Sequence, residues 1–159
     1  MMKKCAQVAR TFAGVEHRLE VVRVLDGVTY INDSIGTSPT RTIAGLRAMK
    51  ARPILIAGGY DKHIPFDDLG DAICKMAKEL YLSGNTADKI SESVRHSPYF
   101  KEHQIGIHIE RDFKQAVMAA SKAAHAGDIV LLSPACAAFD QFSNFAERGK
   151  AFKAIVNSL

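Results

Sequence analysis

Pro53-Ile54-Leu55-Ile56-Ala57-Gly58-Gly59 is a short apolar run that ends on two glycines. A strand with one wet face would alternate polar and apolar residues, whereas a run apolar throughout reads as a strand covered on both faces. The chain on either side repeats the pattern. Downstream, a helix is predicted from about Phe66 to Lys78, with Leu69, Ile73 and Met76 on one face. Leu80-Tyr81-Leu82 reads as the next strand and Thr86 to Val94 as the next helix. Ile105 to Ile109, then Phe113 to Ala124, repeat the pair. Asp128-Ile129-Val130-Leu131-Leu132 and Phe145 to Val156 close it.

Upstream, Leu19 to Leu25 reads as a strand turned back by Asp26-Gly27, a hairpin dipeptide, into Val28-Thr29-Tyr30-Ile31. Ser38-Pro39 marks a helix start, with Ser as the cap and Pro at the first helical position. Ile43, Leu46 and Met49 follow at helical spacing. Apolar strands alternating with amphipathic helices predict a doubly wound, Rossmann-like α/β fold. Its sheet is mostly parallel, with an antiparallel N-terminal hairpin strand and helices on both faces. Ligands of such sheets collect beyond the carboxyl ends of the strands. That rule selects the loops Asn32 to Ser38, Gly58 to Pro65, Ser83 to Thr86 and Ser133 to Asn144.

The 159 residues are 47% hydrophobic and 24% charged, which suits one ordinary globular domain with a short appendage. The net charge of +4 is spread along the chain without a basic block, so no nucleic-acid partner is expected. Cys5, Cys74 and Cys136 are far apart and odd in number, which predicts reduced thiols and a cytoplasmic location. No apolar run approaches the roughly 20 residues that span a membrane, and Met1-Met2-Lys3-Lys4 is followed by residues too polar for a leader's apolar core. No membrane partner is expected. Val8 and Phe12 lie in a stretch outside the α/β pattern and suit one face of a helix ended by Gly14.

Three loops could carry chemistry, and each has two readings. Asn32-Asp33-Ser34-Ile35-Gly36-Thr37-Ser38 leads onto a helix N-terminus, which favours an anion, yet the same residue types are ordinary caps. Gly58-Gly59-Tyr60-Asp61-Lys62 offers close backbone approach and an ammonium, or simply a solvated lysine. Ser133-Pro134-Ala135-Cys136-Ala137-Ala138-Phe139-Asp140-Gln141-Phe142 exposes backbone donors among small residues, while Phe139, Phe142 and Phe145 suit a core equally well. Arg18 could grip phosphate or pair at the surface. The histidines show no metal-ligand spacing, so no metal site is expected. GxxxxGK[ST] and GxGxxG are both absent.

Together these segments resemble the C-terminal domain of the Mur ligase family. Gly14 to Glu20 is similar to the junction into that domain, and Tyr30-Ile31-Asn32-Asp33-Ser34 to the family's NDS loop. The Gly58 to Lys62 loop, the Leu132 to Phe142 stretch and Asn144 to Phe152 are similar to motifs of its D-glutamate-adding branch. The resemblance runs from about Ala13 to the end, in the family's order. It implies that residues 1–13 are the remnant of a central-domain helix and that 14–159 form the amino-acid-binding domain.

The implied chemistry is ATP-dependent amide formation. The carboxylate of UDP-N-acetylmuramoyl-L-alanine is phosphorylated, and the amine of D-glutamate attacks the acyl phosphate. The first two domains would hold the UDP-sugar, ATP and magnesium, so these 159 residues alone are expected to form no amide bond. By motif position, Arg18 would reach the ATP phosphates and Asp33 the ribose. Thr37 and Lys62 would hold a carboxylate of D-glutamate. Ala138, Phe139 and Phe145 take the other substrate positions, Phe145 through its backbone N–H. Two residues depart from many relatives: Ile35 stands where they carry Lys, and Ala138 where they carry Ser. The lost hydroxyl removes a hydrogen bond of about 0.5–1.5 kcal/mol. Three rival readings remain: a Mur ligase that adds another amino acid, a non-catalytic module for acidic metabolites, and a domain that packs on a partner through Val8 and Phe12.

Overall fold

Asp26 and Gly27 both adopt left-handed backbone, with φ of 51° and 80°, the twist that a two-residue hairpin turn requires. They join β1 (Glu20–Leu25) to β2 (Val28–Asn32) as an antiparallel pair. The computed structural model describes residues 14–159; the Val8 and Phe12 face and the 1–13 remnant lie outside them. After the hairpin come α1 (Pro39–Ala48), β3 (Ile54–Ala57), α2 (Asp67–Met76), β4 (Glu79–Leu82) and α3 (Ala87–His96). A single turn, α4 (Phe100–His103), precedes β5 (Gly106–Ile109), α5 (Phe113–Ala123), β6 (Ile129–Leu132) and α6 (Phe145–Asn157).

The sheet has six strands in the order β1-β2-β6-β3-β4-β5, and every pair except β1–β2 is parallel. Side-chain alternation sorts the apolar strands onto two cores. Leu55, Leu80, Leu82 and Leu131 face Leu46, Leu69, Ile73, Ile90 and Val94 of α1, α2 and α3. Ile54, Ile56, Tyr81, Val130 and Leu132 face Phe113, Val117, Phe152 and Val156 of α5 and α6. The expected two-faced α/β sheet is therefore present.

Two local expectations change. Ser38 occupies the cap position of α1 with extended backbone, but its side chain makes no capping bond. Met49 is the residue that ends this helix, and its side chain still packs on the same core as Ile43 and Leu46. The order of strands positions the site. β6 lies between β2 and β3, and the chain leaves it for the opposite face from theirs. That change of face marks the switch point of the sheet, where a ligand crevice is expected at the carboxyl edge.

Candidate functional site at the carboxyl edge

The crevice rests on buried polar groups that are paired to each other. Asp33 leaves β2, and Ser133 leaves the neighbouring β6. Ser133 Oγ donates to Asp33 Oδ2 at 2.7 Å, while Thr42 of α1 donates to the Ser133 carbonyl at 3.2 Å. Asp33 Oδ1 accepts the Leu19 N–H at 3.2 Å. Burial pushes the Asp33 carboxyl up, and the Ser133 and Leu19 hydrogen bonds and the charges of Arg18 and Arg41 only partly offset it. Gly36 and Gly45 lie so close that a Cβ on either would sit 3.0 and 3.1 Å from Asp33 Oδ2.

The segment before β1 is folded onto the same loop. His17 and Leu19 both have left-handed backbone, at φ 65° and 43°. The His17 carbonyl accepts the Ile35 N–H at 3.1 Å. Asn32 Nδ2 lies 2.9 Å from His17 Nδ1 and donates to Glu20 at 3.1 Å. These contacts fix Arg18 between two anchored residues. Its exposed side chain lines a small cavity of about 120 Å³ together with Leu19, Asp33, Ile35, Gly36 and Arg41.

The loops after β3 and β6 are stitched together. Gly58 N–H donates to Pro134 O, and Tyr60 N–H to Ala137 O, both at 2.9 Å. Gly59 N–H donates to Thr86 Oγ1 at 3.0 Å. The backbone must run this close: a Cβ on Gly58 would sit 2.0 Å from Ser83 O, and φ there is 106°. Ala135 is held at φ 61°, its N–H donating to Gly36 O at 2.8 Å. A left-handed alanine costs about 1–2 kcal/mol, and such conformations cluster at functional sites. Asp61 accepts from His63 N–H at 2.8 Å and pairs with Lys89 at 2.5 Å, so the side chain of Lys62 stays exposed at the loop tip.

The sequence-selected residues fall on this edge in two groups. Arg18 and Asp33 share the small cavity. Lys62, Ala138 and Phe139 lie on the stitched β3 and β6 loops. Ala138 is buried, while Phe139 is 64% exposed and meets Tyr60 edge-on at 5.9 Å. Thr37, half-buried, precedes α1. Phe145 opens α6, so its N–H has no partner within the helix; its carbonyl accepts Ser34 Oγ at 2.7 Å. Of the aromatics open to two readings, Phe142 packs with the second core, and Phe139 and Phe145 do not.

Sequence reasoning passed over Arg148. It is 2% exposed, and its Nε and Nη2 donate to Ser34 Oγ and Ser34 O at 3.0 and 2.9 Å. Its Nη1 is buried without a hydrogen-bond partner, on the side facing Gly59. Burial lowers its pKa to about 10, against the charges of Cys136 and Asp140. The available signal was its place beside the capping Asn144, whose side chain accepts the Glu147 N–H at 2.9 Å. Cys136 is buried, and burial pushes its thiol up to about 11. A structural thiol, as the sequence suggested, fits that position.

A cavity of about 810 Å³ runs along α5 to the β1–β2 turn and contains none of the sequence-selected residues. Among the described residues no group of three His, Cys, Asp or Glu could hold a metal, and no helix is long and apolar enough to cross a membrane.

A buried Asp–Ser–Thr lattice and hydrogen-bonded loops at the switch point of a six-stranded mixed sheet define a doubly wound α/β domain. The sequence profile of the "Mur ligase, glutamate ligase domain" matches residues 17–136, and the chain belongs to that family. It is 51% identical to the UDP-N-acetylmuramoylalanine–D-glutamate ligase of Clostridium novyi over 99% of this chain and 34% of that protein. The enzyme of the same name from Clostridium acetobutylicum is 54% identical over 96% of this chain and 33% of its own length. The chain thus spans about a third of the curated relatives it matches. The UDP-N-acetylmuramate–alanine ligase of Thermotoga maritima shares the fold, with a TM-score of 0.62 at 13% identity over 92% of this chain and 31% of that one.

Proposed function

We propose that this chain is the amino-acid-presenting domain of a ligase that joins D-glutamate to UDP-N-acetylmuramoyl-L-alanine at the expense of ATP, in peptidoglycan synthesis. The observation that carries the reading is the meeting of the Asn32–Ser38, Gly58–Lys62 and Ser133–Phe145 segments at one sheet edge, stitched by hydrogen bonds onto backbone carbonyls. D-glutamate brings two carboxylates. Lys62, the Thr37 hydroxyl and the free N–H of Phe145 answer one or both. Ala138 and Phe139 shape the wall beside them. Arg18 and Asp33 face the nucleotide, the guanidinium toward phosphate oxygens and the carboxylate toward ribose hydroxyls.

In the reaction, a substrate carboxylate oxygen attacks the terminal phosphorus of ATP and ADP leaves. The amine of D-glutamate then attacks the acyl carbon, phosphate leaves, and the nitrogen loses a proton. This chain supplies no nucleophile; it orients the amine and excludes water. Magnesium finds no fitting cluster among the described residues, and the reading assigns it to the rest of the ligase, in the cytoplasm where the nucleotide substrates are. With no phosphate-cradling GxxxxGK[ST] sequence, these 159 residues alone give no turnover.

An amide NMR titration of the chain tests the reading. D-glutamate should shift Thr37, Lys62 and Phe145, and L-glutamate or meso-diaminopimelate should not. Equal shifts with meso-diaminopimelate would favour a ligase for another amino acid.

A further inference from the structure

We infer that Arg41, in α1, acts with Arg18 as the second half of a two-guanidinium grip on the phosphates of the bound nucleotide. The inference rests on the nucleotide-facing reading of Arg18 and Asp33. Both arginines line one small cavity together with Asp33. Nevertheless, neither guanidinium donates a hydrogen bond or forms a salt bridge among the described residues. Most other described arginines are engaged: Arg23 with Val156 O, Arg52 with Cys74 O and Ala77 O, Arg95 with Ser91, Arg111 with Asp88, and Arg148 with Ser34.

The nearby Asp33 carboxylate attracts both cations but accepts a hydrogen bond from neither: each of its oxygens takes one internal donor, Leu19 N–H or Ser133 Oγ, and keeps a second lone pair. Arg18 follows a kinked turn and Arg41 rides on a helix, and the one acid lining their cavity, the buried Asp33, leaves that lining net positive. α1 also carries no acidic residue in its first turn, which leaves the positive end of its dipole uncompensated. A ligand that suits this cavity presents hydroxyl donors to a carboxylate and anionic oxygens to two guanidiniums. A nucleoside polyphosphate does both, whereas an amino acid offers neither a polyhydroxyl face nor more than single carboxylates. Ile35 lines the same cavity without contributing charge, so Arg41 provides the second cation there.

The test uses the 159-residue chain with inorganic tripolyphosphate and with ADP, read by the arginine Nε–H NMR signals and by calorimetry. Both Arg18 and Arg41 signals should shift saturably. Arg41→Ala should weaken tripolyphosphate binding about fivefold, the size expected of one exposed charge contact. Arg41→Lys should retain most of it, and Ile35→Lys in the Arg41→Ala background should restore it. Arg47→Ala, removing an exposed arginine of the same helix, should change nothing. Shifts at Arg18 with none at Arg41 and no effect of Arg41→Ala would overturn this inference and leave the nucleotide-facing reading intact. No shift at either arginine would overturn both.

Discussion

Ser133 Oγ donates to Asp33 Oδ2 at 2.7 Å, joining two loops that are 100 residues apart in sequence. The bond lies beneath the crevice and holds the β2 and β6 loops in register. Ser133→Ala would leave a buried carboxylate oxygen without its donor, which costs about 1–3 kcal/mol. The penalty has a pH signature. Burial already raises the folded carboxyl above its ordinary 3.8, and losing the Ser133 donor raises it further. A raised carboxyl costs stability above its folded pKa and recovers it as pH falls toward the unfolded value. Urea unfolding should therefore show the full loss at pH 7 and a smaller loss near pH 4. An equal loss at both would assign the effect to packing alone.

Gly58 has no room for a side chain. At φ 106° its Cβ would overlap the backbone oxygen of Ser83, and backbone cannot swing aside as a side chain can. Gly58→Ala should destabilise by about 2–4 kcal/mol, combining backbone strain with overpacking. Amide exchange should speed up at Tyr60 and Ser133 before the sheet centre responds. Stability unchanged within 0.5 kcal/mol, roughly the scale of a neutral surface change, would contradict the close approach.

Asp128 tests the opposite charge linkage. Its carboxylate accepts from Lys78 Nζ at 2.8 Å and from His125 N–H at 2.9 Å. Lys78 in particular holds the acid below its ordinary 3.8. A lowered acid contributes stability above its unfolded pKa and loses it as pH falls through the folded one. Asp128→Asn should therefore be less stable than the parent at pH 7, with the gap closing below about pH 3.8. A gap that persists in strong acid would remove the charge explanation.

Cysteine reactivity offers a chemical check on the crevice wall. Cys74 and Cys136 are both buried, and burial raises both thiols, Cys136 to about 11. In a Cys5→Ser background, a thiol reagent at pH 8 should label neither site in the native protein and both in denaturant, since the thiolate is the reacting species. Fast native labelling of Cys136 would mean that the β6 loop opens.

Much of the fold could be read from local pattern. The run Ile54–Ala57 and its counterparts at β4 and β6 are apolar enough to require two covered faces, and these strands and the half-exposed edge strand β5 each lie within two residues of their expected limits. Asp26-Gly27 announced its turn by chemistry alone. The insertion of β6 between β2 and β3 was not legible, because the central strands β3 and β6 are both uniformly apolar and neither encodes its neighbour. The short α4 has too few residues to display a period. At the site, loop chemistry gave Asp33, Lys62 and the Ser133–Phe145 stretch, and the family resemblance gave them roles. Arg148 and Arg41 escaped, the first because a buried arginine looks like any surface arginine in sequence. The second escaped because its relation to Arg18 exists only once α1 folds over the β2 loop.

A chain that presents D-glutamate through a Lys62 carboxylate clamp should do so when it is returned to a whole ligase. Replacing the final third of the Clostridium novyi ligase with this chain, with and without Lys62→Ala, and measuring ATP- and UDP-N-acetylmuramoyl-L-alanine-dependent turnover over a range of D-glutamate tests it most directly. Turnover is expected with D-glutamate alone among amino acids, with a KM for it about tenfold higher in Lys62→Ala, roughly 1.4 kcal/mol for one charge-assisted contact, and an unchanged KM for ATP. Turnover with another amino acid in preference, or a KM for D-glutamate indifferent to Lys62, would contradict it.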